Sequence, residues 1–148
     1  MDVSGRAPVF AESEIEIAAA PDAVWSVLTD FERWPRWNPD VKSMSVDGGV
    51  APGSVFTWRS GPATITSTIE RVDPPRLIAW TGRTFGLSAR HVYRLDPRDG
   101  RTRVHTEESF AGWLARLLRG PMTKTLQKSL DAGLRHLKAE AERRTAPR

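Results

Sequence analysis

The strongest pattern of apolar positions lies at the end of the chain. From Gly112 to Arg144, Trp113, Leu114, Leu117, Leu118, Met122, Leu126, Leu130, Leu137 and Ala141 recur at steps of mostly three, four and seven. That spacing predicts a helix with one apolar stripe. Lys124, Lys128, Arg135, Lys138, Glu142 and Arg143 fall on the other side. Gly120-Pro121 interrupts the stripe and predicts a kink or restart, with Pro121 near the first turn of the main helix. From Pro121 to Arg143 such a helix is about 30 Å long at about 1.5 Å per residue. A stripe of that length needs a broad apolar partner, and a curved sheet folded around it supplies one.

The preceding chain alternates as strands do. Ser13, Ile15 and Ile17 fall on one face, with Glu12, Glu14 and Glu16 on the other. Pro21-Asp22 opens a helix through Val24, Trp25, Val27 and Leu28, and Asp30 is positioned to cap a second short helix from Phe31 to Arg36. The segment Trp34-Pro35-Arg36-Trp37-Asn38-Pro39 is too proline-rich for a regular element. Strands are predicted at Val41–Asp47, Ser54–Ser60, Ala63–Val72, Leu77–Arg83, Leu87–Asp96 and Arg101–Phe110. Gly48-Gly49, Gly61-Pro62, Asp73-Pro74-Pro75, Phe85-Gly86 and Asp99-Gly100 mark the turns.

Turn length sets register. A two-residue Asp99-Gly100 loop puts His91 opposite Glu108 and Tyr93 opposite Thr106. A four-residue loop from Pro97 puts His91 opposite Thr106, with Glu108 diagonal to it. Both keep His91 and Glu108 on one face, because a two-residue shift preserves side-chain parity. A tight Phe85-Gly86 turn then aligns Trp80 with His91. The expected row across three strands is Trp80, His91 and Glu108, facing the helix. A carboxylate and an imidazole there either satisfy each other at the edge of the core or face a space holding water or ligand. The nearby carboxylate favours the imidazolium form of His91, and burial opposes it.

Composition narrows the classes. A chain of 148 residues suits one domain, here 1–148, with flexible tails expected over 1–10 and 144–148. Cysteine is absent, which excludes disulfides and thiol chemistry. No apolar run reaches the roughly 18 residues of a membrane span, and the N-terminus lacks a signal-peptide pattern, so a cytoplasmic location is expected. The charge of +4 admits a nucleic-acid or anionic-surface partner, but the arginines are spread along strand exteriors, and no nucleic-acid binding is expected. Six tryptophans beside one tyrosine suit cavity walls as well as cores. His91, His105 and His136 form no metal-binding spacing, with His105 outward and His136 on the polar side or edge of the helix. No glycine-rich phosphate loop or nucleophile elbow occurs, and neither metal nor cofactor is expected.

Ile15-Glu16-Ile17 followed by Ala20-Pro21-Asp22-Ala23-Val24-Trp25 resembles the opening of the START-like superfamily, in its polyketide cyclase/dehydrase and lipid-transport branch. The segment from Trp34 to Val41, the hairpin Gly100-Arg101-Thr102-Arg103-Val104, Glu107-Glu108 and the closing helix with Leu137-Lys138 extend the likeness. It implies an α+β helix-grip fold. In that fold a curved seven-stranded antiparallel sheet wraps a long C-terminal helix, two short helices follow the first strand, and a deep, mostly apolar cavity remains. It also implies an apolar or aromatic small-molecule ligand, polyketide- or lipid-like.

Three functions follow as expectations: a binder of such a ligand, a polyketide cyclase or dehydratase, or a protein-interaction module without a small ligand. A monomer or weak homodimer is expected. Trp58, Trp80, His91, Tyr93, Glu108 and Phe110 are expected to line the cavity from the sheet, and Met122, Leu126 and Leu130 from the helix. Trp34, Trp37 and Phe56 are further ligand candidates, although such a tryptophan pair is more often core or a loop anchor. Phe31 to Asp40 and the Thr84 to Leu87 turn are expected at the entrance. For catalysis, His91 is the candidate general base, Glu108 its orienting partner, and Tyr93 a hydrogen-bond donor to a substrate oxygen.

Overall fold

The computed structural model describes residues 7–146. Its elements are β1 (Val9–Ile17), α1 (Pro21–Thr29), a 3-10 turn (Phe31–Arg33), α2 (Trp34–Trp37), β2 (Ser43–Asp47), β3 (Val55–Ser60) and β4 (Ala63–Asp73). They continue with β5 (Leu77–Thr84), β6 (Leu87–Arg98), β7 (Arg101–Ala111), α3 (Trp113–Leu117) and α4 (Arg119–Thr145). The strands form one antiparallel sheet in the order β1-β7-β6-β5-β4-β3-β2. The inward faces of this curved sheet grip α4, the helix-grip arrangement.

Both tight turns hold two residues. Thr84 pairs with Leu87 and Arg98 with Arg101. Asp99 and Gly100 have φ of 53° and 79°, the left-handed pair that a twisted two-residue hairpin needs. The longer-loop register is thereby excluded. His91 pairs with Glu108, Tyr93 with Thr106, and Trp80 with His91.

The main core lies between α1, the 3-10 turn, the sheet and the C-terminal half of α4. Val24, Leu28, Ile78, Val104, Leu134 and Leu137 are fully buried in it. A stack of aromatic rings fills its centre. Phe31 lies on Phe56 at 4.6 Å, and Trp34 is 5.7 Å from Trp80, with its indole N–H donating to the Leu28 carbonyl at 2.9 Å. Polar side chains of α4 cover the free edge of β1. Gln127 donates to the Glu12 carbonyl, Lys138 to the Glu16 carbonyl, and Glu142 accepts from the Ala18 N–H. An edge strand so covered offers no template for another chain.

Several expectations change. β1 begins at Val9 and α4 runs to Thr145, so residues 9–10 and 144–145 belong to regular elements rather than tails. What remains of the expected tails lies largely outside the described residues. The helix restarts at Leu118, where φ and ψ are −114° and 34°, rather than at Gly120-Pro121. Pro121 then sits inside the first turn of α4, where no N–H is required. The restart turns α3 away from the stripe: Trp113, Leu117 and Leu118 are exposed, and Ala115 is buried in their place. Leu134 completes the buried stripe of α4. Asp30 caps nothing with its side chain and pairs instead with Arg33 at 2.8 Å. The proline-rich segment holds one helical turn, α2.

Candidate functional site

Two cross-strand rows on the concave face build the site. The first runs Ile69–Trp80–His91–Glu108–Ala11 across β4, β5, β6, β7 and β1. The second runs Phe56–Ser67–Gly82–Ala89–Phe110–Val9, with bulky residues at its ends and small ones in the middle. Small side chains under the first turns of α4 leave space that large ones would have filled. The result is an apolar cavity of about 380 Å³. Trp58, Trp80, Glu108 and Phe110 line it from the sheet, and Met122 and Leu126 from α4. Arg83, Pro121, Thr125 and Ser129 form its exposed rim.

The remaining candidates lie elsewhere. Trp34 and Phe56 belong to the aromatic stack, which seals the inner end of the cavity. Trp37 packs against that core with its indole N–H buried and without a partner among the described residues. Leu130 is buried beside Ala115 and Val9. His91 and Tyr93 stand behind Trp80, ring upon ring at 4.7 Å, and do not line the cavity. Thr84 and Leu87 line it as expected of an entrance turn, but Phe31 and Trp34 do not. Pro39 and Asp40 border a polar depression beside it that shares Ser60, Thr125 and Ser129.

Proton positions in the buried pair follow from Thr106. Its hydroxyl has one proton and donates it to the Val92 carbonyl at 3.1 Å. The same oxygen lies 2.8 Å from His91 Nε2, so it accepts from an Nε2–H. His91 Nδ1 then carries a lone pair, 3.4 Å from Glu108 Oε1. Burial disfavours charge on both groups, lowering the imidazole to about 3 and raising the carboxyl to about 8. At neutral pH the carboxyl keeps its proton and turns it towards a neutral imidazole. Of the two opposed influences on His91, desolvation outweighs the attraction of opposite charges here. Burial, followed by the proximity of Glu108, raises the Tyr93 phenol above its ordinary value. The cavity therefore faces a carboxylic acid, oriented by an imidazole outside it.

On the outer face, His105 Nε2 is 3.2 Å from Glu12, and its Nδ1 is 3.7 Å from Glu107. The three side chains form an exposed-to-half-buried charge network across β1 and β7. His136 is half-buried on α4, far along the chain from this group.

Ser67, Gly82 and Ala89 were absent from the sequence-based lining. Their parity was readable, since Gly82 follows Trp80 by two and faces Ala89 across the tight turn. A run of small inward residues across neighbouring strands is the signal for a void, and a search for large side chains passes over it.

A sheet gripping one long helix around an apolar cavity is a helix-grip fold. The sequence profile described as polyketide cyclase / dehydrase and lipid transport matches residues 9–142, and the chain belongs to that family. Solved structures share the fold. A hypothetical protein from Helicobacter pylori is 18% identical with a TM-score of 0.83, over 94% of this chain and 91% of that one. The Zhui aromatase/cyclase from Streptomyces sp. R1128 is 21% identical with a TM-score of 0.81, over 93% and 95%. A START superfamily protein from Mycobacterium smegmatis is 17% identical with a TM-score of 0.79, over 92% and 99%. No curated protein matches in sequence. No helix among the described residues is long and apolar enough to cross a membrane.

Proposed function

We propose that the chain binds an apolar or aromatic, oxygen-bearing small molecule, polyketide- or lipid-like, between the sheet and the first half of α4. The observation that carries this reading is the apolar cavity of about 380 Å³ with a carboxylic acid, Glu108, in its wall. Apolar walls with a single well-placed polar group are what such ligands require. Trp58, Trp80, Phe110, Met122 and Leu126 supply the apolar contact, and the second oxygen of the Glu108 carboxyl, whose proton faces His91, accepts a hydrogen bond from a ligand hydroxyl. Family membership supports the ligand class. The open cavity weighs against an interaction module without a ligand.

Native mass spectrometry of freshly purified protein tests the proposal, together with titration of an apolar fluorescent probe. Ala89→Phe, which fills the middle of the small row, is expected to weaken probe binding at least about 10-fold with the fold retained. Equal binding by wild type and variant rejects the cavity as the site.

Glu108 also favours a second reading, a cyclase or dehydratase. A carboxylic acid that holds its proton at neutral pH is suited to general-acid catalysis. It would turn its proton from His91 Nδ1 to a ligand oxygen and protonate it, leaving a carboxylate. Turnover of a linear poly-β-keto thioester that falls about 10²-fold in Glu108→Gln, with binding retained, separates catalysis from carriage.

A further inference from the structure

Four large apolar side chains stand in solvent beside the cavity rim. Phe85 is 79% exposed, Leu117 71%, Trp113 56% and Leu118 41%. Phe85 sits at the tip of the β5–β6 turn, and the other three lie on α3 and at the α3–α4 junction. The Phe85 and Trp113 rings meet edge to face at 5.4 Å. The patch is built into the backbone. The Leu114 N–H donates to the Gly86 carbonyl at 3.2 Å. A Cβ on Gly112 would come within 2.5 Å of the same oxygen, so the turn and α3 are locked together.

The two chain segments that carry this patch hold charges of one sign. No Asp or Glu occurs between Asp73 and Asp96, or between Glu108 and Asp131. Arg83, Arg116, Arg119 and Lys124 border the patch and the rim, and none has an ion-pair partner among the described residues. Phe85 follows Arg83 by two positions, and Leu118 precedes Pro121 by three, so patch and rim are continuous.

We infer that this end of the molecule docks on the surface of an anionic lipid bilayer. Exposed aromatic and leucine side chains at a protruding turn and a short helix enter the boundary between headgroups and acyl chains, and a cationic border is attracted to anionic headgroups. Indole rings favour that boundary. A protein partner would need a groove shaped to receive these protrusions, whereas a fluid bilayer accommodates them as they stand. Docking there puts the rim at the bilayer, so an apolar ligand passes between membrane and cavity without crossing water. The inference rests on the patch and its charges alone, and it holds whether or not the cavity proves to bind the ligand proposed above.

The test is co-sedimentation with vesicles of phosphatidylcholine containing phosphatidylglycerol, compared with phosphatidylcholine alone. Wild type is expected to bind the anionic vesicles at least about 10-fold more tightly, with binding weakened by salt. Phe85→Ser/Leu117→Ser and Arg116→Glu/Arg119→Glu are each expected to lose at least about 10-fold, with unchanged circular dichroism. Acyl chains brominated near the headgroup are expected to quench wild-type tryptophan fluorescence, and Trp113→Phe to remove most of that quenching while still binding. Absence of wild-type binding to the anionic vesicles overturns the inference. So does undiminished binding by Phe85→Ser/Leu117→Ser.

Discussion

Glu108 and His91 are both neutral when buried, and the pH at which each gains or loses a proton shapes the pH dependence of stability. The carboxyl titrates near 8 in the folded chain against an ordinary 4.5, and the imidazole near 3 against 6.5. Between pH 6.5 and 8 the unfolded chain has lost the Glu108 proton and the folded chain keeps it, so stability falls as pH rises. Between about 4.5 and 6.5 the His91 proton bound on unfolding offsets the Glu108 proton released, and the two contributions cancel. From 4.5 down to about 3, stability falls again as the pH drops. At about 1.4 kcal/mol per pH unit, the pair costs about 2 kcal/mol between pH 6.5 and 8. Glu108→Gln keeps the shape and still donates to His91 Nδ1, but it does not titrate. Urea unfolding of the variant is expected to show little of that loss; parallel curves for wild type and variant would mean that the pair is not buried as described. The facing positions of His91 and Glu108 were legible from turn length and parity. Their charge state was not, because sequence shows the attraction between the two groups and tertiary packing sets the desolvation.

Among the elements, the junction of the β5–β6 turn with α3 is the most constrained. Gly112 has φ of 108°, a conformation that strains any other residue, and an added Cβ would clash with the Gly86 carbonyl. Gly112→Ala is expected to destabilise by about 2–4 kcal/mol. In a chain of this length that lowers the thermal midpoint by roughly 5–15 °C, measurable by circular dichroism. A midpoint within a degree of wild type would show that the turn and α3 separate freely. The helical spacing from Trp113 to Leu118 was legible, but its burial was not. One non-helical residue, Leu118, rotates the apolar side of α3 out of line with that of α4, and periodicity does not reveal such a rotation.

In the molecule as a whole, the interior is divided between a ring-filled half and an open half. Trp34 holds the boundary, touching Phe31, Phe56, Trp58 and Trp80. Trp34→Ala is expected to cost about 3–5 kcal/mol and to extend the cavity inward. Chemical denaturation measures the first effect. Tighter binding of a bulky apolar probe at a temperature where the variant stays folded reports the second. Unaltered probe affinity would place a further barrier between the stack and the cavity.

Alternation, helical spacing and turn signals together determined most of the elements, the meander of β3 to β7 and the facing of Trp80, His91 and Glu108, because these depend on local geometry and parity. The pairing of β1 with β7 joins distant segments and was decided by the tertiary structure. The tertiary structure decided which inward residues meet space and which meet one another. Phe56, Trp58 and Trp80 all face inward, yet Phe56 is packed among rings while the other two also border a void. That difference depends on where α1, the 3-10 turn and α2 settle against the sheet. Their position is the sum of many packing contacts among residues distant in sequence, and no local pattern encodes it.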